Sequence, residues 1–153
     1  MNKKYLFIIV TFLLIIGGFF LLAKKPQQKS TEILINNKKL QIEIMQTEEE
    51  KAKGLSDRKN LCSNCGLLFV YDSEGIYSFW MRRMYFDIDI LWLNKDRVVD
   101  IIYDAKKPTA EEFESPRIIY QSKVPADKVL EVNAGWVEKN GIKIGDSFQK
   151  TND

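Results

Sequence analysis

The sequence predicts a mostly β, α+β domain, a small barrel-like arrangement of antiparallel or mixed strands with two short helices, behind one N-terminal transmembrane helix. Three observations support this fold class. Short apolar runs recur between turn residues, only two segments carry helix start and stop signals, and one long apolar run lies near the amino terminus. The chain has 153 residues, enough for one domain with a single core.

The long apolar run covers residues 5–23, which as a helix would span roughly 28 Å, close to the hydrocarbon thickness of a bilayer. A cleaved signal peptide would have a shorter apolar region and a small-x-small cleavage site, which residues 21–23 match poorly. We therefore expect an uncleaved anchor. The predicted organisation is an anchor at 1–25, a tether at 26–32 and a β-rich domain at 33–150.

The charges are unevenly distributed along the chain. Residues 1–25 hold four lysines and no acid, and the remainder holds 19 basic and 21 acidic residues. The remainder has no basic tract longer than two residues, which argues against nucleic acid as a partner. Lysines flank the apolar run on both sides, so the positive charges that the positive-inside rule compares are nearly equal in number on the two sides. We expect a single-pass protein of the cytoplasmic membrane with its folded domain outside the cytoplasm.

The first predicted elements of the domain are a hairpin and a short helix. Two alternating runs at 33–35 and 40–45 are joined by residues 36–39, whose sequence Asn-Asn-Lys-Lys is typical of a tight turn. Thr47 and Glu50 then form a capping-box pattern. Acids fill the first helical turn, lysines the last, and Gly54 ends it.

Later apolar runs, most of them bounded by turn residues, predict further strands at 66–71, 76–81, 88–93, 98–105, 117–121 and 128–132. Residues 133–141 suit a second short helix that stops at Gly141. A turn at Gly145 and Asp146 precedes a last strand, and the acidic segment 109–115 is expected to be a loop.

The sequence contains no histidine. This excludes Ser-His and Cys-His nucleophile pairs, histidine-ligated metals and histidine-based proton transfer. Any chemistry must come from carboxylates, lysines, cysteines or hydroxyls, and we expect no cofactor. Ser56 and Lys59 spell S-x-x-K, but the companion motifs of penicillin-binding enzymes are absent, so we assign that match no function.

Asp87 and Asp89 are two residues apart in a predicted strand, so they share one face at roughly 6–7 Å. Paired carboxylates at such distances hydrolyse glycosides, although a solvated strand face gives the same pattern. Arg82 and Arg83 are adjacent and would point to opposite sides. Beside Trp80, one of them could hold a carboxylate or a phosphate.

The alternative for either arginine is an ion pair with Asp89 or Glu131. Glu131 lies in an apolar strand and should find a cation if it is buried. We expect an internal pair of Glu131 with Arg58 or Arg82.

Cys62 and Cys65 form a C-x-x-C motif. An exported domain favours a structural disulfide between them. Free thiols, a redox pair and an intermolecular metal site are the alternatives. A redox pair would ordinarily begin a helix, whereas this pair precedes a predicted strand, and zinc would need further ligands from carboxylates or a second chain.

The domain resembles the bacterial and archaeal family known as domain of unknown function 192, DUF192, from about residue 33 to 149. The resemblance rests on six blocks in order: GLSDR (54–58), GLLFVY (66–71), FWMRRM (79–84), DILWL (89–93), VLEVNAG (129–135) and GIKIGD (141–146). The resemblance implies that the chain shares the fold of this family and carries a leader or anchor. The family has no established activity.

The chain departs from the family pattern at three places. Family members commonly carry Met-Lys-Asn-Thr where residues 81–84 read Met-Arg-Arg-Met, so any shared role of the Asn and Thr side chains is in doubt. Asp89 falls on the family's aspartate, whereas Asp87 stands where proline is common. Cys62 and Cys65 occupy a stretch that is usually polar.

The sequence thus favours a membrane-anchored binding or accessory module whose partner is a small anionic ligand, an envelope polymer or an envelope protein. An enzyme acting through the aspartates or the cysteines is the second hypothesis, and a structural assembly domain is the third. The candidate ligand-binding residues are Trp80, Arg82, Arg83, Asp89 and Glu131.

Overall fold

Nine strands and two short helices follow one another along residues 30–151, the part of the chain that the computed structural model describes. In chain order they are β1 (Ser30–Ile35), β2 (Lys38–Met45), α1 (Glu48–Lys53), β3 (Cys65–Gly75), β4 (Ser78–Trp80), β5 (Ile88–Asn94), β6 (Arg97–Ala105), β7 (Ile119–Gln121), β8 (Ala126–Asn133), α2 (Trp136–Asn140) and β9 (Phe148–Lys150). The predicted α+β class with mostly strands and two short helices is confirmed.

The predicted N-terminal anchor lies outside the described residues and stays a prediction. Among residues 30–151, no helix has the length and apolar character needed to cross a bilayer.

Seven strands form one sheet in the order β6-β5-β8-β3-β2-β1-β9, in which every neighbouring pair is antiparallel except β2 with β3. The two edges of this sheet approach each other. Arg97 at the start of β6 forms a bridge with Ser147, and the Val98 amide donates to the Asp146 carbonyl at 3.0 Å. The sheet therefore curls into an incomplete barrel, as the sequence predicted.

Local chemistry explains the elements that the sequence located best. Asn36 and Asn37 adopt positive φ angles of 46° and 61°, which Asn tolerates and which a tight hairpin requires. In the capping box of α1, the Thr47 hydroxyl accepts from the Glu50 amide at 3.2 Å, and Glu50 Oε2 accepts from the Thr47 amide at 3.0 Å. Gly141, with φ of 67°, ends α2.

The curled sheet is covered on both faces, so the expectation of a single core is too simple. Its concave face encloses one cluster, which includes Leu91, Leu130 and Trp136 of α2. Its outer face carries a second cluster around Phe69, Met84 and Trp92. A two-stranded antiparallel sheet of β4 and β7, the β4–β7 ribbon, contributes Phe79 and Tyr120 to the outer cluster.

Candidate functional site

Glu131 lies on the outer face of the curled sheet, in a row of directly paired residues. Along this row Ser30 pairs with Glu43, Glu43 with Leu67, Leu67 with Glu131, and Glu131 with Ile90. Directly paired residues project from the same face of a sheet. The register therefore places the Glu131 side chain beside Leu67 and Ile90, which belong to the outer apolar cluster.

A pocket of about 160 Å³ opens beside Glu131. Its walls come from the last turn of α1 and the residues after it, from β3, from the ribbon strand β4, and from the loop before β5. The lining residues are Lys51, Ala52, Lys53, Gly54, Leu55, Ser56, Phe69, Tyr71, Ser78, Phe79, Trp80, Met84 and Glu131. Apolar groups form the deeper wall, since Leu55, Phe69 and Met84 are all buried.

The carboxyl group of Glu131 is the unusual polar group of this pocket. The residue is only 6% exposed, and its side chain makes no hydrogen bond or ion pair with any residue in the range 30–151, but its oxygens stay accessible from the pocket, since Trp92 Nε1 is the only fully buried side-chain polar atom without a partner in that range. Burial raises the pKa of Glu131 to about 8, and the charge of Arg58 only partly opposes that effect. At neutral pH Glu131 is therefore mostly protonated and can donate a hydrogen bond into the pocket.

The expected ion pair of Glu131 is not formed, because both candidate arginines are bound elsewhere. Arg58 donates to both carboxylate oxygens of Glu43, at 2.7 and 2.8 Å. Arg82 donates to Glu114 at 3.3 Å. The charge of Arg58 acts on Glu131 at longer range only.

Aromatic rings form one side of the pocket. Trp80 is 56% exposed and presents its indole to solvent at the pocket edge. Tyr71 stacks on Tyr77 at a centroid distance of 3.5 Å, and the Lys51 ammonium lies 4.6 Å from the Tyr71 ring centroid. Burial, with the charges of Tyr77 and Glu131, raises the pKa of the Tyr71 phenol, so Tyr71 is neutral at physiological pH.

Cations and hydroxyls also line the pocket. Lys51 binds Glu48 at 3.0 Å, while Lys53 is exposed one half-turn further on. The Ser56 hydroxyl donates to the Arg82 carbonyl at 2.9 Å, and the Ser78 hydroxyl accepts from Gln121 of the neighbouring strand. These contacts fix the two hydroxyls at the pocket wall.

Arg82 and Arg83 lie beside the pocket and brace the loops around it. Arg83 binds Asp57 at 2.7 Å and Glu114 at 2.9 Å. The backbone amide of Asp57 also donates to the Arg83 carbonyl at 2.9 Å, with both residues at positive φ. These contacts join the segment after α1 to the loop before β5 and to the loop at residues 113–114.

Asp89 lies on the opposite face of the sheet from Glu131. It pairs with Val132, whose side chain belongs to the interior cluster, and it is fully buried. Its oxygens accept from the Asp104 amide at 2.9 Å and from the Val137 amide at 3.0 Å. Asp89 thus holds the first turn of α2 against the sheet, because the amides of that turn lack intrahelical partners.

Asp87 is also engaged, with the Lys107 amide at 2.8 Å and the Lys106 ammonium at 3.0 Å. Partial burial works to raise its pKa, but these hydrogen bonds and the two lysine charges outweigh burial, and the pKa is lowered. Neither aspartate lines the pocket. Of the five residues proposed from sequence, the structure brings Trp80 and Glu131 together, places Arg82 and Arg83 nearby, and separates Asp89.

The predicted disulfide between Cys62 and Cys65 is confirmed. It closes the loop that leads from the pocket into β3. Asn133, two residues after Glu131 on β8, donates to the carbonyls of Leu61 and Cys62 at 3.2 and 2.9 Å. The disulfide loop is thereby attached to the strand that carries Glu131.

The sequence interpretation missed Lys51, Lys53, Ser56 and Tyr71 as pocket residues. One signal was present: the block at residues 54–58, used to recognise the family resemblance, contributes Gly54, Leu55 and Ser56 to the wall.

The family model for DUF192, described as an uncharacterized ACR, matches residues 31–150. No curated protein matches the chain. A solved structure of a proposed transcription regulator from Sinorhizobium meliloti 1021 is similar, with a TM-score of 0.74 and 21% identity over 83% of this chain and 98% of that one. A protein of unknown function from Novosphingobium aromaticivorans DSM 12444 has a TM-score of 0.70 and 26% identity over 83% and 91%. These similarities support the fold.

Proposed function

The chain belongs to the DUF192 family, and from that premise we propose that it is a binding module on the outer face of the cytoplasmic membrane whose pocket beside Glu131 takes a small anionic ligand. One observation carries the proposal. A buried carboxyl group lines an open pocket and has no hydrogen-bond partner in residues 30–151. The oxygens of that group stay accessible from the pocket, so a ligand that carries a hydrogen-bond acceptor can pair with Glu131 directly.

The protonation state of Glu131 selects the chemistry of the ligand. With a pKa of about 8, the side chain is a neutral acid at pH 7 and donates its proton to an acceptor. A hydrogen bond to an ionised oxygen is stronger than one to a neutral oxygen, so a carboxylate or phosphate oxygen is the preferred acceptor. Lys53, exposed at the pocket edge, favours the same negative charge, whereas Lys51 is already paired with Glu48.

The size of the pocket limits what can enter. About 160 Å³ is smaller than the roughly 300–1,000 Å³ typical of drug-sized sites. The ligand is therefore a small acid or the acidic end of a larger molecule. The exposed ring of Trp80 provides apolar contact for the remainder of that molecule.

The disulfide supports the proposed location. A bond between Cys62 and Cys65 persists in oxidising compartments and is rare in the cytosol. Together with the predicted anchor at residues 5–23, it favours an exported domain. Protease digestion of sealed spheroplasts tests this, because cleavage of the domain without lysis is expected and protection until lysis would overturn it.

Calorimetry with small carboxylates, inorganic phosphate and neutral sugars tests the pocket. We expect a carboxylate or phosphate to bind at pH 6.5 and to weaken strongly at pH 9, where Glu131 is ionised. Glu131→Gln keeps a neutral donor and should bind at both pH values, whereas Glu131→Leu should not bind. Failure of every anion to bind, or unchanged binding by Glu131→Leu, would overturn the proposal.

The enzyme alternatives receive less support from the geometry. Asp89 is buried and accepts hydrogen bonds from two backbone amides. Asp87 accepts from the Lys106 ammonium and the Lys107 backbone amide. Cys65 begins a strand, whereas redox C-x-x-C motifs ordinarily begin a helix.

A further inference from the structure

The outer face of the β4–β7 ribbon presents an apolar pair to solvent. Trp80 lies directly opposite Ile119, and the two are 56% and 60% exposed. The next pair along, Phe79 with Tyr120, points inward and packs on the outer cluster. Ile76, just before β4, is a third exposed apolar side chain at 48%. Single exposed apolar residues are ordinary, but a directly paired Trp and Ile form a contiguous surface.

The position at which the chain enters the domain identifies what this surface faces. Ser30 and Glu131 belong to the same row of paired residues, three strands apart. At about 4.8 Å between neighbouring strands, the backbone at Ser30 is about 14 Å from that at Glu131. Trp80 lines the pocket that Glu131 borders, so the ribbon also lies near the entry point.

The preceding segment is short. Six residues, 24–29, separate the predicted membrane span from Ser30, and six extended residues reach about 20 Å. An anchored domain can thus bring its pocket and ribbon to the bilayer surface. Among partners that could cover an apolar face, the lipid surface is the one that the anchor itself brings to this distance.

The side chains of the surface suit a lipid headgroup layer. Tryptophan is enriched at membrane–water interfaces, because its ring is apolar and its N–H is polar. Lys53 lines the pocket together with Trp80, Lys123 follows β7, and both lysines are exposed. Juxtamembrane lysines are attracted to anionic lipids.

We propose that the outer face of the β4–β7 ribbon docks on an anionic lipid bilayer, with Trp80 and Ile119 entering the headgroup layer. This inference rests on the membrane location given under the proposed function, but it does not require the pocket to bind an anion. It implies that the pocket opens toward the membrane surface, where a ligand would come from molecules at the headgroup layer.

Tryptophan fluorescence of the full chain in vesicles tests the docking. The sequence has three tryptophans, and Trp92 and Trp136 are at most 5% exposed, so the exposed signal comes from Trp80. In vesicles that contain phosphatidylglycerol and lipids brominated near the headgroup, we expect the Trp80 emission to be quenched, because an indole in the headgroup layer contacts the bromine atoms. The Trp80 emission is the difference between the wild type and Trp80→Phe.

A second reporter position serves as the matched control. Ile144 is 63% exposed and lies near Gly145, beside the end of β1 opposite to Ser30. In the Trp80→Phe background, Ile144→Trp places an exposed indole there, and we expect no quenching of it. Equal quenching at both positions would show contact without a preferred face and would overturn the proposal.

Flotation of the same vesicle samples distinguishes a failure of the docking from a failure of the anchoring. Chain that floats with the vesicles while Trp80 stays unquenched retains the anchor and overturns the docking. Chain that does not float overturns both the anchoring and the docking, whereas the calorimetric test of Glu131 remains independent. Dimers on crosslinking with unquenched Trp80 would assign the surface to a second copy, which also overturns the proposal.

Discussion

Arg58 and Glu43 form a two-pronged ion pair, with Nη1 and Nη2 of the guanidinium 2.7 and 2.8 Å from the two carboxylate oxygens. This ion pair gives Glu43 a partner. Glu43 and Glu131 lie in the same row of paired residues across the sheet. Glu131, two strands away from Glu43, is left with only the distant charge of Arg58. This division explains why a buried glutamate stays protonated near a cation.

The pKa of Glu131 makes stability depend on pH in a definite direction. The pKa rises from an ordinary 4.5 to about 8 on folding, so the folded state holds the proton more tightly. The contribution of Glu131 to the free energy of unfolding is therefore greatest below pH 4.5. It falls as the pH rises toward 8, by about 1.4 kcal/mol per pH unit at most. Glu131→Gln should remove this fall, which urea unfolding between pH 5 and 9 measures.

Glu49→Gln is the matched control, because Glu49 is an exposed glutamate on α1. It should leave the pH profile of the wild type unchanged. Parallel profiles for the wild type and Glu131→Gln would mean that Glu131 is ionised in the fold.

Two substitutions should shift the pKa of Glu131 in opposite directions. Arg58→Met removes the cation that lowers this pKa, so it should rise above 8. Glu43→Gln releases the guanidinium from its carboxylate partner, so the pKa should fall. Carboxyl-carbon NMR titration of Glu131 measures both shifts, and shifts of the same sign would contradict the account.

Trp80→Ala should weaken ligand binding with little effect on stability. The side chain is 56% exposed, so its removal leaves no cavity in the core. Loss of aromatic contact with the ligand should raise Kd about five- to tenfold, for roughly 1 kcal/mol. Calorimetry and thermal unfolding measure the two effects. Tyr103→Ala, at an equally exposed aromatic residue outside the pocket lining, should leave Kd unchanged.

Asp89→Asn should destabilise the fold by about 2–3 kcal/mol, because one of two buried amides loses its acceptor. Asp87→Asn should cost less than about 1 kcal/mol, since that carboxylate is partly exposed. Urea unfolding gives both values. Loss of ligand affinity in Asp89→Asn at full stability would instead return Asp89 to the binding site.

Loss of the disulfide should destabilise the domain by about 2 kcal/mol, the loop-closure estimate for a four-residue ring. The double variant Cys62→Ser/Cys65→Ser measures this by urea unfolding. A reductant should lower the stability of the wild type to that of the variant and leave the variant unchanged. Sensitivity of the variant to reductant would point to another cause.

Local chemistry made much of the fold predictable. The Thr47–Glu50 capping box and the Asn36–Asn37 turn each depend on residues within four positions of each other, so their signals survive in any tertiary context. Strand positions followed from apolar runs.

The site was less predictable, because it depends on register and closure. Lys51, Tyr71, Trp80 and Glu131 meet only because β3 and β8 pair in one particular alignment and the ribbon folds over them. The role of Asp89 was missed for the same reason, because it depends on how the sheet closes. Alternation in β5 suggested that one face could be solvated, but curling of the sheet encloses that face and turns Asp89 into a helix-binding group.

The pairing of β1 with β9 has a consequence for biosynthesis. The ribosome delivers one of these strands first and the other only within the final residues of the domain. Until Phe148 emerges, β1 has a partner on one side only, and the apolar side chains of Ile33 and Ile35 lack their last cover. Stalled or truncated chains that end before this residue should therefore be the aggregation-prone forms, since they carry an unprotected strand edge.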